Sequence, residues 1–172
     1  RPELYDRLSR RRRVLVHSQV SQYVAFAFLP TGYIYSQQLI LFDLDTFAAL
    51  CAVQCRPHEL WTRFLASSLE DRLRYTPSDC FETFPFPEHF ETDPRLEAAG
   101  KAYYEFRAAL MVRNNEGLTK TYNRFHDPEE TSPDILKSEK AKGVRRRTSR
   151  VAVTVDQCDT GIQSEERRVG KE

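Results

Sequence analysis

The chain has 172 residues, 26 Lys and Arg against 25 Asp and Glu, and 40% apolar residues, which is enough for one sizeable domain with a real core. No apolar run approaches the roughly 18 residues of a membrane span, so no membrane partner is expected. Cys51, Cys55, Cys80 and Cys158 are too sparse and irregular for a disulfide framework, which favours a soluble protein of a reducing, cytoplasmic compartment.

Charge is unevenly spread. Residues 1–16 carry six Arg against Glu3 and Asp6, the middle is acidic on balance, and the stretch after Leu136 is basic again. The cluster Arg10, Arg11, Arg12 and Arg13 stands directly before Val14-Leu15-Val16. Such a run is ordinarily a solvated helix end or loop; its sharper reading is contact with nucleic-acid phosphates, which gives affinity without sequence preference and a steep salt dependence.

Val14–Val16, Gln22–Leu29 and Tyr33–Phe42 read as strands. Pro30-Thr31-Gly32 between the last two has turn chemistry, so an antiparallel hairpin is expected there. Tyr33 and Tyr35 would share a face. Gln37-Gln38 interrupts the apolar run: a solvent-facing position on a half-buried strand is the ordinary explanation, whereas base-edge recognition is the functional one.

At Leu44-Asp45-Thr46 the period changes. Asp45 or Thr46 can cap a helix whose apolar side includes Phe47, Leu50, Cys51 and Cys55. A second helix starts near Pro57 and presents Leu60, Trp61, Phe64 and Leu65 on the way to Leu69. Cys51, Cys55 and His58 lie on compatible spacings for a metal, but three ligands without a fourth favour ordinary buried thiols. No metal is expected.

Leu73–Pro87 is the least ordinary run. Pro77 forces Thr76 out of the helical region, and Pro85 and Pro87 do the same to Phe84 and Phe86, so an extended segment is expected that is neither helix nor central strand. Tyr75, Phe81, Phe84 and Phe86 carry too much apolar area for a free linker. The segment should be pinned, either as a structural clamp or as a surface that fixes Arg74, Ser78 and Asp79; packing is the commoner fate of such rings.

Asp93-Pro94 opens a helix with Leu96, Ala99, Tyr103, Phe106 and Leu110 on one stripe, ending at Asn114–Gly117. A shorter helix follows with Leu118, Tyr122 and Phe125 inward and Lys120, Asn123 and Arg124 outward, closed by Asp127-Pro128. The fold expected is α+β: antiparallel strands, packing helices and a C-terminal helical hairpin, divided as residues 1–87, 88–136 and a disordered or non-native tail at 137–172. Arg1 in place of an initiator Met suggests a fragment of a larger protein.

Two separated motifs carry a resemblance. Arg-Tyr-Thr-Pro-Ser-Asp-Cys-Phe-Glu-Thr-Phe-Pro-Phe-Pro at 74–87 and Gly-Leu-Thr-Lys-Thr-Tyr-Asn-Arg-Phe-His-Asp-Pro at 117–128 resemble the C-terminal region of large adenine-specific DNA methyltransferases of type II restriction-modification systems, of the MmeI and Eco57I kind. The resemblance covers about residues 14–136. It implies a site-specific adenine N6 DNA methyltransferase as parent, using S-adenosylmethionine and double-stranded DNA, with this piece completing target recognition and docking on the missing N-terminal methyltransferase domain. It also makes Arg74, Ser78, Lys120 and Arg124 candidates for DNA contact beside the arginine run and Gln37. The family's Asn-Pro-Pro-Tyr-type loop and its glycine-containing cofactor loop are absent from these 172 residues. His17, His58, His89 and His126 are dispersed, so no catalytic constellation and no bound cofactor are expected in this piece. The competing reading, from another class, is a non-catalytic protein-interaction module of a phage-defence complex.

Overall fold

The computed structural model describes residues 2–69, 72–127 and 129–130; the tail expected at 137–172 lies outside the described residues. The chain opens with α1 (Pro2–Ser9) and β1 (Arg13–Ser18). Val14, Leu15, Val16 and His17 are all buried, so β1 is covered on both faces and belongs in the middle of a sheet. That is where it lies. β3 (Ala27–Pro30) pairs with one side, Val14 opposite Leu29, and β4 (Leu39–Phe42) with the other, Leu15 opposite Phe42, both antiparallel.

This order corrects the expected hairpin. The second and third expected strands do not pair with each other, and each is shorter than its apolar pattern suggested. Pro30 has no N–H to give and ends an edge strand, and residues 31–38 form a loop with a turn at Gln37-Gln38. A second sheet joins β2 (Val20–Ser21), β6 (Arg72–Arg74) and β5 (Ser67–Leu69) in the order β2-β6-β5. The helix expected to reach Leu69 therefore stops at Leu65, and strand takes over at Ser67.

The helix α2 (Phe47–Gln54) is capped by Thr46, whose side-chain oxygen accepts from the Ala49 N–H at 3.1 Å. It is buried on all sides from Ala48 to Gln54. Gln54 joins it to the sheet layer: its amide donates to Val24 O at 2.7 Å and accepts from Phe26 N at 2.9 Å, satisfying two backbone groups that no strand partner reaches.

In α3 (Arg56–Leu65) the inward face is His58, Glu59 and Thr62, while Leu60 and Phe64 are exposed. Of the apolar stripe expected for this helix, Leu60 and Phe64 thus face outward, while Trp61 and Leu65 are half-buried. Glu59 tolerates the interior because Arg56 and Arg63 hold it at 2.8 and 2.9 Å. Burial alone would raise its pKa, but the two guanidiniums outweigh that and lower it.

The 73–87 segment is the clamp that its composition suggested, with two departures: Leu73 and Arg74 lie in β6, the central strand of the second sheet, and Pro77–Cys80 closes a single helical turn, α4, after an extended Thr76. Pro fixes the first-turn geometry rather than preventing it. Tyr75 is fully buried and packs with Phe26, Phe42 and His58. Phe81, Phe84 and Phe86 close around it, and the Trp61 indole donates to Thr83 Oγ1 at 3.0 Å.

After a 3-10 turn (Phe90–Thr92), α5 (Pro94–Asn114) begins at Asp93, which accepts from the Arg95 and Leu96 N–H groups. It ends at Asn115 in the left-handed region. α5 crosses α2 closely at Gly100, where an added Cβ would lie 2.0 Å from Phe47 O. α6 (Leu118–His126) folds back as the expected hairpin. Arg107 was not part of the expected stripe, yet it is buried: it donates to the Tyr122 hydroxyl at 3.0 Å and lies over the Tyr103 ring. Tyr23 ties this hairpin to the strand half, donating to Asn123 Oδ1 at 2.8 Å and stacking on His126.

Candidate nucleic-acid interface

The arginine run does not act as a unit. Arg10 lies in the turn that follows α1, Arg12 in a bend and Arg13 at the start of β1, so the four side chains stand in different backbone settings. Arg11 is spent on the protein, paired with Asp43 and, at 2.7 Å, with Asp45; these bonds, Asp43 foremost, raise its pKa. Arg13 donates to Asp45 O at 2.9 Å, and its guanidinium lies over Phe28 and Phe47 at 3.9 and 4.2 Å from the ring centres. Arg10 and Arg12 are exposed and have no ion-pair partner among the described residues. The run therefore supplies two structural and two available cations.

Residues 31–38 sit on this run. The Thr31 N–H donates to Arg12 O at 3.2 Å and its hydroxyl to Arg11 O at 2.5 Å. Gly32 turns the chain at φ 96°, a backbone region that glycine enters without strain. Tyr33 and Ile34 then stand 64% and 93% exposed. Tyr35 returns to the body, its hydroxyl donating to Pro30 O. Gln37 and Gln38 are exposed on the following turn, which places Gln37 in a loop rather than on the strand expected for it. The base of the loop is thus bonded to the backbone of Arg11 and Arg12, beside the exposed Arg10 and Arg12.

The other candidates lie elsewhere. Arg74 is exposed on β6, and Ser78 is exposed on α4 with its hydroxyl donating to Asp79 Oδ1 at 3.0 Å. Lys120 is exposed on α6. Arg124, expected to face outward, is instead held by Glu130 at 2.7 Å and Glu116 at 3.4 Å, with Glu130 the main cause of its raised pKa. A guanidinium between two carboxylates is a poor phosphate ligand.

Among the described residues no group of three or more His, Cys, Asp or Glu is placed to hold a metal ion. His58 is engaged otherwise: its Nδ1–H donates to Val53 O at 2.7 Å, which leaves Nε2 to accept from the Tyr75 hydroxyl at 3.2 Å. Cys55 Sγ donates to Ala52 O. What the surface of Arg10, Arg12 and the 31–38 loop offers is unpaired positive charge beside apolar and amide groups, a combination suited to a polyanion with accessible base edges. The missed component was the exposed Tyr33-Ile34 pair, hidden in the sequence by an alternating pattern that reads equally well as a strand.

An α+β unit of two small antiparallel sheets, sealed by an aromatic junction and carrying a cationic loop surface, is the class that fold and site define. Over residues 4–88 the chain matches the family described as MmeI, target recognition domain. A solved structure, described as that of the Type IIL restriction-modification enzyme MmeI in complex with DNA, shares the fold with a TM-score of 0.54 and 18% identity, over 90% of this chain and 21% of that one. The chain thus spans about a fifth of the length of that protein. No curated protein matches. No helix among the described residues is long and apolar enough to cross a membrane.

Proposed function

We propose that this chain is the target-recognition part of a site-specific adenine N6 DNA methyltransferase of a restriction-modification or phage-defence system. In this reading it contributes DNA recognition and domain docking, while S-adenosylmethionine and the methyl transfer belong to a methyltransferase domain outside these residues. The observation that carries it is the coincidence of the family match over residues 4–88 with the surface of Arg10, Arg12 and the 31–38 loop. The target duplex would meet Gln37 at base edges, with phosphates held by Arg10, Arg12, Arg74 and Lys120 and a hydroxyl contact from Ser78.

Single-molecule methylome sequencing of cells with and without the intact gene tests this. Loss of one recurring N6-methyladenine motif on deletion is the expected result. An unchanged methylome would remove the methyltransferase reading.

The exposed Leu60 and Phe64 on α3 favour a docking role beside recognition. A protein-interaction module without DNA contact would use the same helix, but it would have no need for two unpaired arginines beside an apolar loop.

A further inference from the structure

The tip of the 31–38 loop has two features that are unusual together. It is apolar and solvent-facing at Tyr33 and Ile34, and yet it is not loosely held. Thr31 is fixed to the backbone of Arg11 and Arg12, Tyr35 to Pro30, and the Gln38 carbonyl accepts from the Gln19 N–H at 2.7 Å. A loop anchored at both ends presents its tip already ordered, so inserting that tip into a partner sacrifices little conformational freedom.

Its surroundings say what the partner is. Residues 30–42 contain no Asp or Glu, and Asp43 and Asp45, which face the arginine run, are occupied by Arg11. Among the described residues Arg10 and Arg12 have no ion-pair partner. An apolar protein partner would gain nothing from two bare guanidiniums at the rim and would bury them at a cost. A duplex matches both parts of the surface, because flat apolar base faces lie just inside two rails of phosphate.

We infer that Tyr33 and Ile34 form a wedge that enters a groove of the target duplex and unstacks one base step, while Arg10 and Arg12 hold the flanking phosphates. Ile34 fills the opened step, and Tyr33 lies against an exposed base face. Gln37, at the far end of the same loop, is left to read a neighbouring base edge. The inference rests on the DNA-recognition reading above and adds a distortion of the DNA that recognition by itself does not require.

The test uses the intact protein on sheared bacterial genomic DNA, so that no target sequence need be known. Bound fragments are recovered and probed with permanganate for unstacked thymines and diethyl pyrocarbonate for unstacked purines, and reactive positions are mapped by sequencing. The expected result is a set of recurring reactive positions, at least one of which disappears in the double variant Tyr33→Ala/Ile34→Ala. Recovery of the same sequence motif should fall by no more than about tenfold, since the phosphate contacts persist. Arg10→Ala/Arg12→Ala should lower recovery for all sequences and reduce the log–log salt slope by about 2.

If the double Ala variant keeps every reactive position, or if the native protein recovers one motif with no reactive position, the wedge is overturned while DNA recognition stands. If no DNA is recovered at any salt concentration tested, the recognition reading falls and the wedge with it. Because both substituted side chains are exposed, an unchanged melting temperature identifies the variant as folded.

Discussion

At the scale of single residues, the buried histidines give the interior a pH dependence. His17 sits between Phe26 and Tyr75, with ring centres 4.7 Å from each, and among the described residues neither of its nitrogens has a partner at good hydrogen-bond geometry, the backbone of Ser18 and Tyr23 being near enough only to offset part of the effect of burial. Burial, with nearby His58 adding to it, pushes its pKa down to about 4; burial does the same to His58. Tyr75, whose own pKa is raised by burial and then by Cys80, keeps its proton for His58. Both rings are neutral when folded and take up a proton near pH 6.5 when unfolded. The stability that these two rings contribute is therefore fully present above about pH 6.5, is lost as pH drops from there to about 4, and changes no further below, with each ring contributing about 3 kcal/mol at most. His17→Leu should reduce the slope in this window by one proton, leaving the parts due to His58 and to His126, whose pKa burial also lowers, as measured by hydrogen exchange of the segment across pH; an unaltered slope would place the titration elsewhere. None of this was legible beforehand, because a lone His in an apolar strand gives no sign of whether its neighbours are polar. Gln54 was hidden for the same reason, its role being set by backbone groups 28 and 30 residues away.

At the scale of elements, local chemistry was legible and pairing was not. Thr46, Asp93 and Asn115 act as the caps their types suggest, since capping depends on the two or three residues that follow or precede. The aromatic junction was also legible, because four rings among three prolines leave few alternatives to being packed. Strand partners were misassigned because sequence proximity favoured a hairpin between the second and third strands. The deciding fact was instead that β1 is apolar at successive positions and so takes the centre. In α3 the stripe of Leu60 and Phe64 faced the wrong way because Glu59, satisfied by two arginines, could go inside. The contact of α2 with α5 rests on Gly100, and Glu97 secures it by accepting from the Ala48 N–H at 2.7 Å. Gly100→Ala would drive a methyl group into the Phe47 carbonyl, and backbone cannot step aside as a side-chain tip can. The expected cost is about 3 kcal/mol or more, read as faster exchange throughout α5 and α2; exchange equal to the native protein's would mean that the helices separate freely at that crossing.

At the scale of the whole molecule, the charges divide by task. Arg11, Arg13, Arg107 and Arg124 stabilise the fold through carboxylates, rings or hydroxyls, whereas Arg10 and Arg12 are exposed with no ion-pair partner among the described residues. Sequence counting could not make that division, because neighbouring arginines are identical until the turn after α1, the bend at Arg12 and the start of β1 give each its own surroundings. The same logic applies to apolar surface. Leu60 is 52% and Phe64 84% exposed one helical turn apart, on a different element from the loop proposed to meet DNA. Charge does not surround them as it surrounds Tyr33 and Ile34: Arg56 and Arg63 on the same helix are engaged by Glu59. An apolar pair flanked by neutralised charge suits a protein surface, and in the function proposed above the methyltransferase domain is the candidate. Phe64→Asp, alone or with Leu60→Asp, should leave this unit's own exchange protection unchanged, because neither side chain enters the core. Under the methyltransferase function proposed above, the same substitutions in the intact protein should expose a new site for limited proteolysis beside this unit and should lower methylation more than DNA recovery. A native proteolysis pattern with native methylation would mean that α3 simply faces water.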